Sequence, residues 1–207
     1  MTFRRLAAFA TIICLVAPAF TQTSTPEWVK RSNANSKILL DVLARFAPES
    51  AARFGVDGYD AEVFQLPNDI NAKTIAAVQD AIAKLEAKLA TETDPAVRQD
   101  LQILISSARD NIEGTRLTEK YQLPYFNLSL AIFQSMRSLL DDQVAAERRP
   151  AALVRMKKYT GLETGFTPIT TQAIAYTRAR LGNRALIGPF KDKLEKDLSN
   201  SDRYMTG

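Results

Sequence analysis

Three carboxylates crowd one short stretch of the chain, Asp57-Gly58-Tyr59-Asp60-Ala61-Glu62. Clustered carboxylates are the ligands that hard cations such as Ca²⁺ take. The spacing does not follow an EF-hand loop, however, and Asp-Gly is a favoured turn pair. An ordinary turn is the expectation, and no metal ligand is assigned. The opposite charge gathers in Arg148, Arg149, Arg155, Lys157 and Lys158. Such a run can hold an anion or touch acidic lipid headgroups, but a solvated helix face is the expectation, since exposed Lys and Arg on one helix are ordinary. Asp110 and Glu113 stand three apart between Arg109 and Arg116. Paired carboxylates can carry acid–base chemistry, yet charge pairing at i,i+3 and i,i+4 on one helix explains them without a site. Tyr121, Tyr125, Phe126 and Phe133 read as core or groove lining. Asn127-Leu128-Ser129 fits a glycosylation sequon, although Asn127 at a helix start is more simply a cap.

The absent residue types exclude more than the present ones assign. The chain has no His and one Cys, Cys14. Without His there is no Ser-His-Asp or Cys-His nucleophile system, no H-E-x-x-H zinc site and no imidazole acid–base group. If Cys14 is removed with a leader, no thiolate nucleophile, disulfide or Cys-ligated metal centre remains. No G-x-G-x-x-G or G-x-x-x-x-G-K loop occurs, and no Ser is followed three residues later by Lys. Carboxylate, Lys, Tyr or oxygen-ligated metal chemistry is what survives. No catalytic, cofactor-binding or metal-ligating residue is therefore assigned, and the chain is not expected to be an enzyme as it stands.

The N-terminus reads as a secretory signal peptide over residues 1–19. Arg4 and Arg5 form a basic start, Leu6 to Val16 an apolar run broken only by Thr11, and Ala17-Pro18-Ala19 a small-x-small exit with cleavage after Ala19. A membrane span needs roughly 20 apolar residues, and polar Thr21-Gln22-Thr23-Ser24 follows Phe20 too soon. A lipidated Cys14 is rejected, because Thr11-Ile12-Ile13 lacks the small residues such a site wants. The expected location is the periplasm or the exterior, with no stable membrane span after cleavage. Processing leaves 188 of 207 residues, with 25 basic against 23 acidic side chains, a net charge of +2. That near-neutral balance does not point to nucleic acid as a partner. It is enough chain for one domain with a sizeable core.

The elements that must position these residues are helical. Ile38, Leu39, Val42, Leu43 and Phe46 form one stripe, ended by Pro48. Ile75, Val78, Ile82, Leu85 and Leu89 form a second, with Asn71 as the expected N-cap. Asp94-Pro95 starts a third helix, whose buried face is Val97, Leu101, Leu104, Ile105, Ala108 and Ile112. The short Thr91–Asp94 connection makes these two an antiparallel hairpin. Leu128, Ile132, Met136, Leu139 and Leu140 define a helix running to about Ala146. Pro150 to Gly161, Thr167-Pro168 to Gly182, and Pro189 to Leu198 complete the set. The expectation is all-α: about seven amphipathic helices in one irregular bundle over residues 31–198, after a polar linker (20–30) and before a polar tail (199–207).

One stretch carries a family resemblance: Phe46-Ala47-Pro48-Glu49-Ser50-Ala51-Ala52-Arg53-Phe54-Gly55-Val56-Asp57-Gly58-Tyr59-Asp60. A helix, a Pro, a Gly a few residues on and a Tyr-Asp-type turn before a long helical hairpin resemble the N-terminal part of the bacterial family called domain of unknown function 885, over most of residues 30–200. Members of that family are several hundred residues longer, helical and often exported. They resemble zinc peptidases, because a later H-E-x-x-P-G-H segment places two His on a metal and a Glu beside its water. None of that segment occurs here, and with no His in the chain no family ligand can be carried over. The resemblance implies a truncated N-terminal part of a zinc-peptidase-like hydrolase, whose partner would be the missing C-terminal catalytic part. The alternative is a stand-alone periplasmic helical binding or interaction module whose helices form a groove. An enzyme using carboxylates alone is a third reading, which needs a cleft with paired, perturbed acids. The truncated reading further expects Leu, Ile or Phe side chains left exposed near the C-terminal helices.

Overall fold

The computed structural model describes residues 25–206. The expected signal peptide over 1–19 lies outside the described residues. Among the described residues the chain is all-α: α1 (Glu27–Phe46), α2 (Pro48–Arg53), α3 (Ile70–Thr91), α4 (Pro95–Tyr121), α5 (Leu128–Leu140), α6 (Pro150–Thr160), α7 (Ile169–Leu181) and α8 (Lys191–Thr206). A 3₁₀ turn at Ala146–Arg148 precedes α6. Among the described residues the one β-type pairing is an isolated parallel bridge between Gln122 and Ile187.

The hairpin α3–α4 is the centre of the first half, with α1 packed against both of its helices and α2 against α1. The stripes of α3 and α4 meet as expected, while Phe46 at the end of the α1 stripe faces a different cavity. Val78, Ile82, Leu85, Val97, Leu101, Ile105, Ala108 and Ile112 form one buried cluster, with Ile38, Leu39 and Val42 of α1 packed on it. Leu85, Val97 and Leu101 are fully excluded from solvent. Burying such a side chain contributes on the order of 1.5–3 kcal/mol each. Asp94 caps α4 by accepting from the amides of Ala96 and Val97, with Pro95 in the first turn. Arg98 closes the hairpin from below, donating to the carbonyls of Leu89 and Glu92.

The second half is assembled differently. Helix α5 packs against α6 and α8, and α6 against α7. Its apolar cluster is small: Val63, Tyr159 and Ile169 are buried, with Phe64, Leu66, Leu128, Ile132 and Met136 around them. Gly161 ends α6 in the left-handed region at φ 73°. A Cβ there would meet Pro168 Cδ at 2.6 Å, so both backbone and packing require glycine.

Several boundaries differ from the sequence reading. Helix α1 begins at Glu27, inside the expected linker, and α8 continues to Thr206 through the expected polar tail. Both ends are polar, and amphipathic spacing marks a helix poorly where few side chains are apolar. Pro48 does end α1, but it also opens α2, because proline is tolerated in a helix's first turn. Asn71 is not the cap of α3. Asp69 holds that position without a side-chain cap bond, and the Asn71 amide instead donates to the Tyr176 hydroxyl at 3.1 Å. Helix α5 stops at Leu140 rather than near Ala146, where Asp141 turns the chain by accepting from the Gln143 amide. Thr167 makes no cap bond at the start of α7, where Pro168 occupies the N-cap position.

Candidate functional site

The acidic turn and the basic run face each other in the fold, through pairs 88 and 96 residues apart in sequence. Arg148 grips Asp60 with two bonds, Nε to Oδ2 at 2.8 Å and Nη2 to Oδ1 at 2.6 Å, and Nη2 also donates to the Ala52 carbonyl. Lys158 pairs with Glu62 at 2.9 Å. This fork geometry is the strong form of ion pair, and it holds the Asp60 carboxyl below its ordinary range. Two of the three acids are thereby neutralised by protein cations. Among the described residues no group of three or more potential ligand side chains is arranged for a metal ion.

The solvated-face reading of the basic run is corrected at two positions. Arg155 is fully buried and Lys158 nearly so, whereas Lys157 is exposed. The reason is rotational: Arg155, Lys158 and Tyr159 recur at three and four residues and share the inward face of α6, where Arg155 and Tyr159 meet α5 and Lys158 meets Glu62. Arg155 Nη1 donates to the carbonyl and hydroxyl of Ser135, both at 3.1 Å, and to Ser138 Oγ at 3.3 Å. Burial pulls its pKa below the ordinary value, opposed by the negative charge of Glu49. Beside it, the Tyr159 hydroxyl donates to Glu49 Oε1 and lies 3.0 Å from Ser135 Oγ. Glu49 Oε1 also accepts from the Phe64 amide at 2.8 Å. Burial first, and then the Glu49 charge, push the Tyr159 pKa up strongly, so this phenol stays protonated and serves as a donor. Glu49, Ser135, Ser138 and Tyr159 border an open cavity of about 380 Å³ walled by Phe46, Phe64 and Phe126. Sequence reasoning missed this network. Its members lie on α2, α5 and α6, and the one available signal was the helical spacing of Arg155, Lys158 and Tyr159.

Asp110 and Glu113 remain exposed on α4, and neither forms the expected ion pair within its helix. Arg109 reaches across to Glu86 of α3 instead. Among the described residues the two carboxyls whose pKa is shifted, Asp60 and Asp197, are both lowered, by bonds from Arg148 and Lys193 first. A general acid needs the opposite shift, so these groups do not support a carboxylate-only enzyme. Asn127 is the N-cap of α5, its side chain accepting from the Leu130 amide at 3.0 Å.

Three of the four aromatic residues singled out in the sequence line a second cleft. The 122–127 connection and the 187–193 segment meet through the Leu123 amide on the Ile187 carbonyl (2.9 Å) and the Ile187 amide on the Tyr121 carbonyl (2.8 Å). Between them and α7 lies a groove of about 550 Å³, lined by Tyr121, Tyr125, Phe126, Tyr176, Ile187 and Phe190 among others. Phe133 stands apart from it, packed on Tyr204 with ring centroids 5.3 Å apart. Arg180 and Lys193 also line the groove. The Arg180 guanidinium lies 3.7 Å over the Tyr176 ring and Lys193 5.5 Å over that of Tyr125. Burial and the bond to Asp197 raise the Tyr125 pKa.

No protein-family model, curated protein or solved structure matches this chain.

Apolar side chains also stand in solvent away from the groove. From residue 150 onward, Leu153, Met156, Leu162, Ile174, Leu181 and Leu198 are exposed, several by more than 60%. On α7, Ile174 and Leu181 are seven apart and share a face, while Ile169, Ala173 and Tyr176 are buried on another. That helix is apolar on two sides, a pattern that goes with burial on both.

Proposed function

We propose that this chain is the helical N-terminal part of an exported zinc-peptidase-like hydrolase, without catalysis of its own, whose metal-binding segment lies outside these 207 residues. The observation that carries the reading is the exposure of Leu153, Leu162, Leu181, Ile187, Phe190 and Leu198, in contrast to the buried stripes of the first half. Apolar side chains this exposed, gathered in the C-terminal part of the chain, support a contact that another polypeptide covers. The resemblance over Phe46–Asp60 supplies the identity of that polypeptide, and with no His the chain has none of that family's zinc-binding side chains. Reading the gene beyond the codon for Gly207 tests it. An H-E-x-x-P-G-H segment in any frame is the expected result, and its absence counts against the reading. The expected export is checked by N-terminal sequencing of protein recovered from the periplasm or medium, which should begin at Phe20.

A second reading is favoured by the aromatic groove: a stand-alone binding module that takes a small, largely apolar ligand between the 122–127 connection, α7 and the 187–193 segment. Its size falls within the range of ordinary ligand pockets. A cooperative thermal melt of the monomeric chain supports this reading, whereas dye binding with a broad melt supports the first.

A further inference from the structure

The groove's charges narrow the chemistry of its occupant. Resting on the binding-module reading, we propose that the groove binds an amphipathic organic anion, a small aromatic or aliphatic carboxylate, with its body against Phe126, Ile187 and Phe190 and its carboxylate on Arg180. Two cations, Arg180 and Lys193, line the cleft against one acid, Glu119, which is exposed. Lys193 already shares its charge with Asp197 at 2.9 Å. Arg180 makes no ion pair with any described residue. It donates through Nη1 to the Tyr176 carbonyl (3.0 Å) and through Nη2 to the Asn68 carbonyl (3.2 Å). A guanidinium carries five N–H donors in a fixed fork, so those two bonds leave donors for a carboxylate. They also fix the group in place: stacked at 3.7 Å on Tyr176 and tied to two carbonyls, it is held before any ligand arrives. Tyr176 is itself fixed by the Asn71 amide on its hydroxyl.

The apolar side of the groove matches the other end of such a molecule. Phe190 and Ile187 are 76% and 64% exposed, more than a settled surface needs. A phenyl or alkyl body laid on them recovers that area, while the anion meets a weakly hydrated guanidinium rather than a lysine.

The test is calorimetric titration of the purified chain with 3-phenylpropionate and with its neutral amide, 3-phenylpropanamide. The expected result is binding of the acid at least about tenfold tighter than the amide, the lower end of what a charge-assisted contact contributes. Arg180→Gln should remove that preference, Arg180→Lys should keep part of it, and Phe190→Ala should weaken both ligands. Equal affinity for acid and amide overturns the anion inference and leaves the binding groove standing. Binding of neither overturns both. If Arg180→Gln does not fold, the salt dependence of the unaltered chain decides. An acid affinity that does not fall with ionic strength while the amide's stays constant refutes a contact on Arg180.

Discussion

The two halves of this molecule hold together by different means. In the first, α1, α3 and α4 bring apolar stripes face to face, and the buried cluster is made of aliphatic side chains. In the second, the segment around Asp57–Leu66 is fastened to α6 and α7 by polar groups. Arg148 takes Asp60, Lys158 takes Glu62, Glu49 takes Tyr159, and the Gln172 side chain accepts from the Leu66 amide at 2.7 Å. Aliphatic burial is non-directional and tolerates small shifts, whereas a half-satisfied buried polar group is costly. The first half should therefore respond to lost volume, and the second to lost donors, acceptors and charge.

The largest effect is expected where the aliphatic packing is deepest. Leu101→Ala should destabilise the fold by about 3–5 kcal/mol, read as a lowered midpoint in urea, because a fully excluded side chain leaves a cavity. A loss under about 1 kcal/mol would mean that the hairpin core repacks freely, and the contrast between halves would fail. Next comes Arg155→Met, which keeps volume but removes the guanidinium bonds to the Ser135 carbonyl and to the Ser135 and Ser138 hydroxyls. A loss of about 1–3 kcal/mol is expected in the same assay. A neutral or stabilising outcome would show that this guanidinium adds nothing beyond its packing.

The acid side of the second half can be probed by pH. Arg148 donates to both Asp60 oxygens, so the folded carboxyl lies below its ordinary 3.8. A depressed folded value stabilises the fold above the unfolded pKa, and the contribution is lost as pH falls through the folded one. Urea midpoints should thus fall on acidification below about pH 4, and Asp60→Asn should flatten that dependence while costing about 1 kcal/mol near neutrality. An unchanged acid limb in Asp60→Asn would take this pair out of the account. The smallest effect on stability is expected from Leu162→Ser and Leu181→Ser, at less than about 0.5 kcal/mol, since both side chains are exposed. Any self-association seen in sedimentation should nevertheless fall in both variants, because they remove apolar surface left uncovered among the described residues.

Much of the first half was readable without coordinates. The spacing of Val78, Ile82 and Leu85 against Val97, Leu101 and Ile105 states both helices and their shared face, and Asp94-Pro95 marks where one begins. The candidate site was legible only in pieces. The acidic turn and the basic run stand out by composition, yet by local pattern the one reads as an ordinary turn and the other as a solvated helix face. Their pairing spans 88 residues between Asp60 and Arg148, which no local pattern encodes. The fate of Asn71 shows the same limit from the other side. Its type suits a cap, but the long-range bond to Tyr176 took its amide.

By itself the sequence determined the helical class, the hairpin and its buried stripes, and the exclusion of His-based chemistry. These follow from periodicity and composition, which are local or additive. The tertiary structure alone decided that Arg155 is buried, that Asp60 and Glu62 are neutralised by α6 and the turn before it, and that Tyr121, Phe126, Tyr176 and Phe190 share one groove. Each of those facts depends on which faces meet across the chain, and helical spacing names the residues on a face without naming the face opposite.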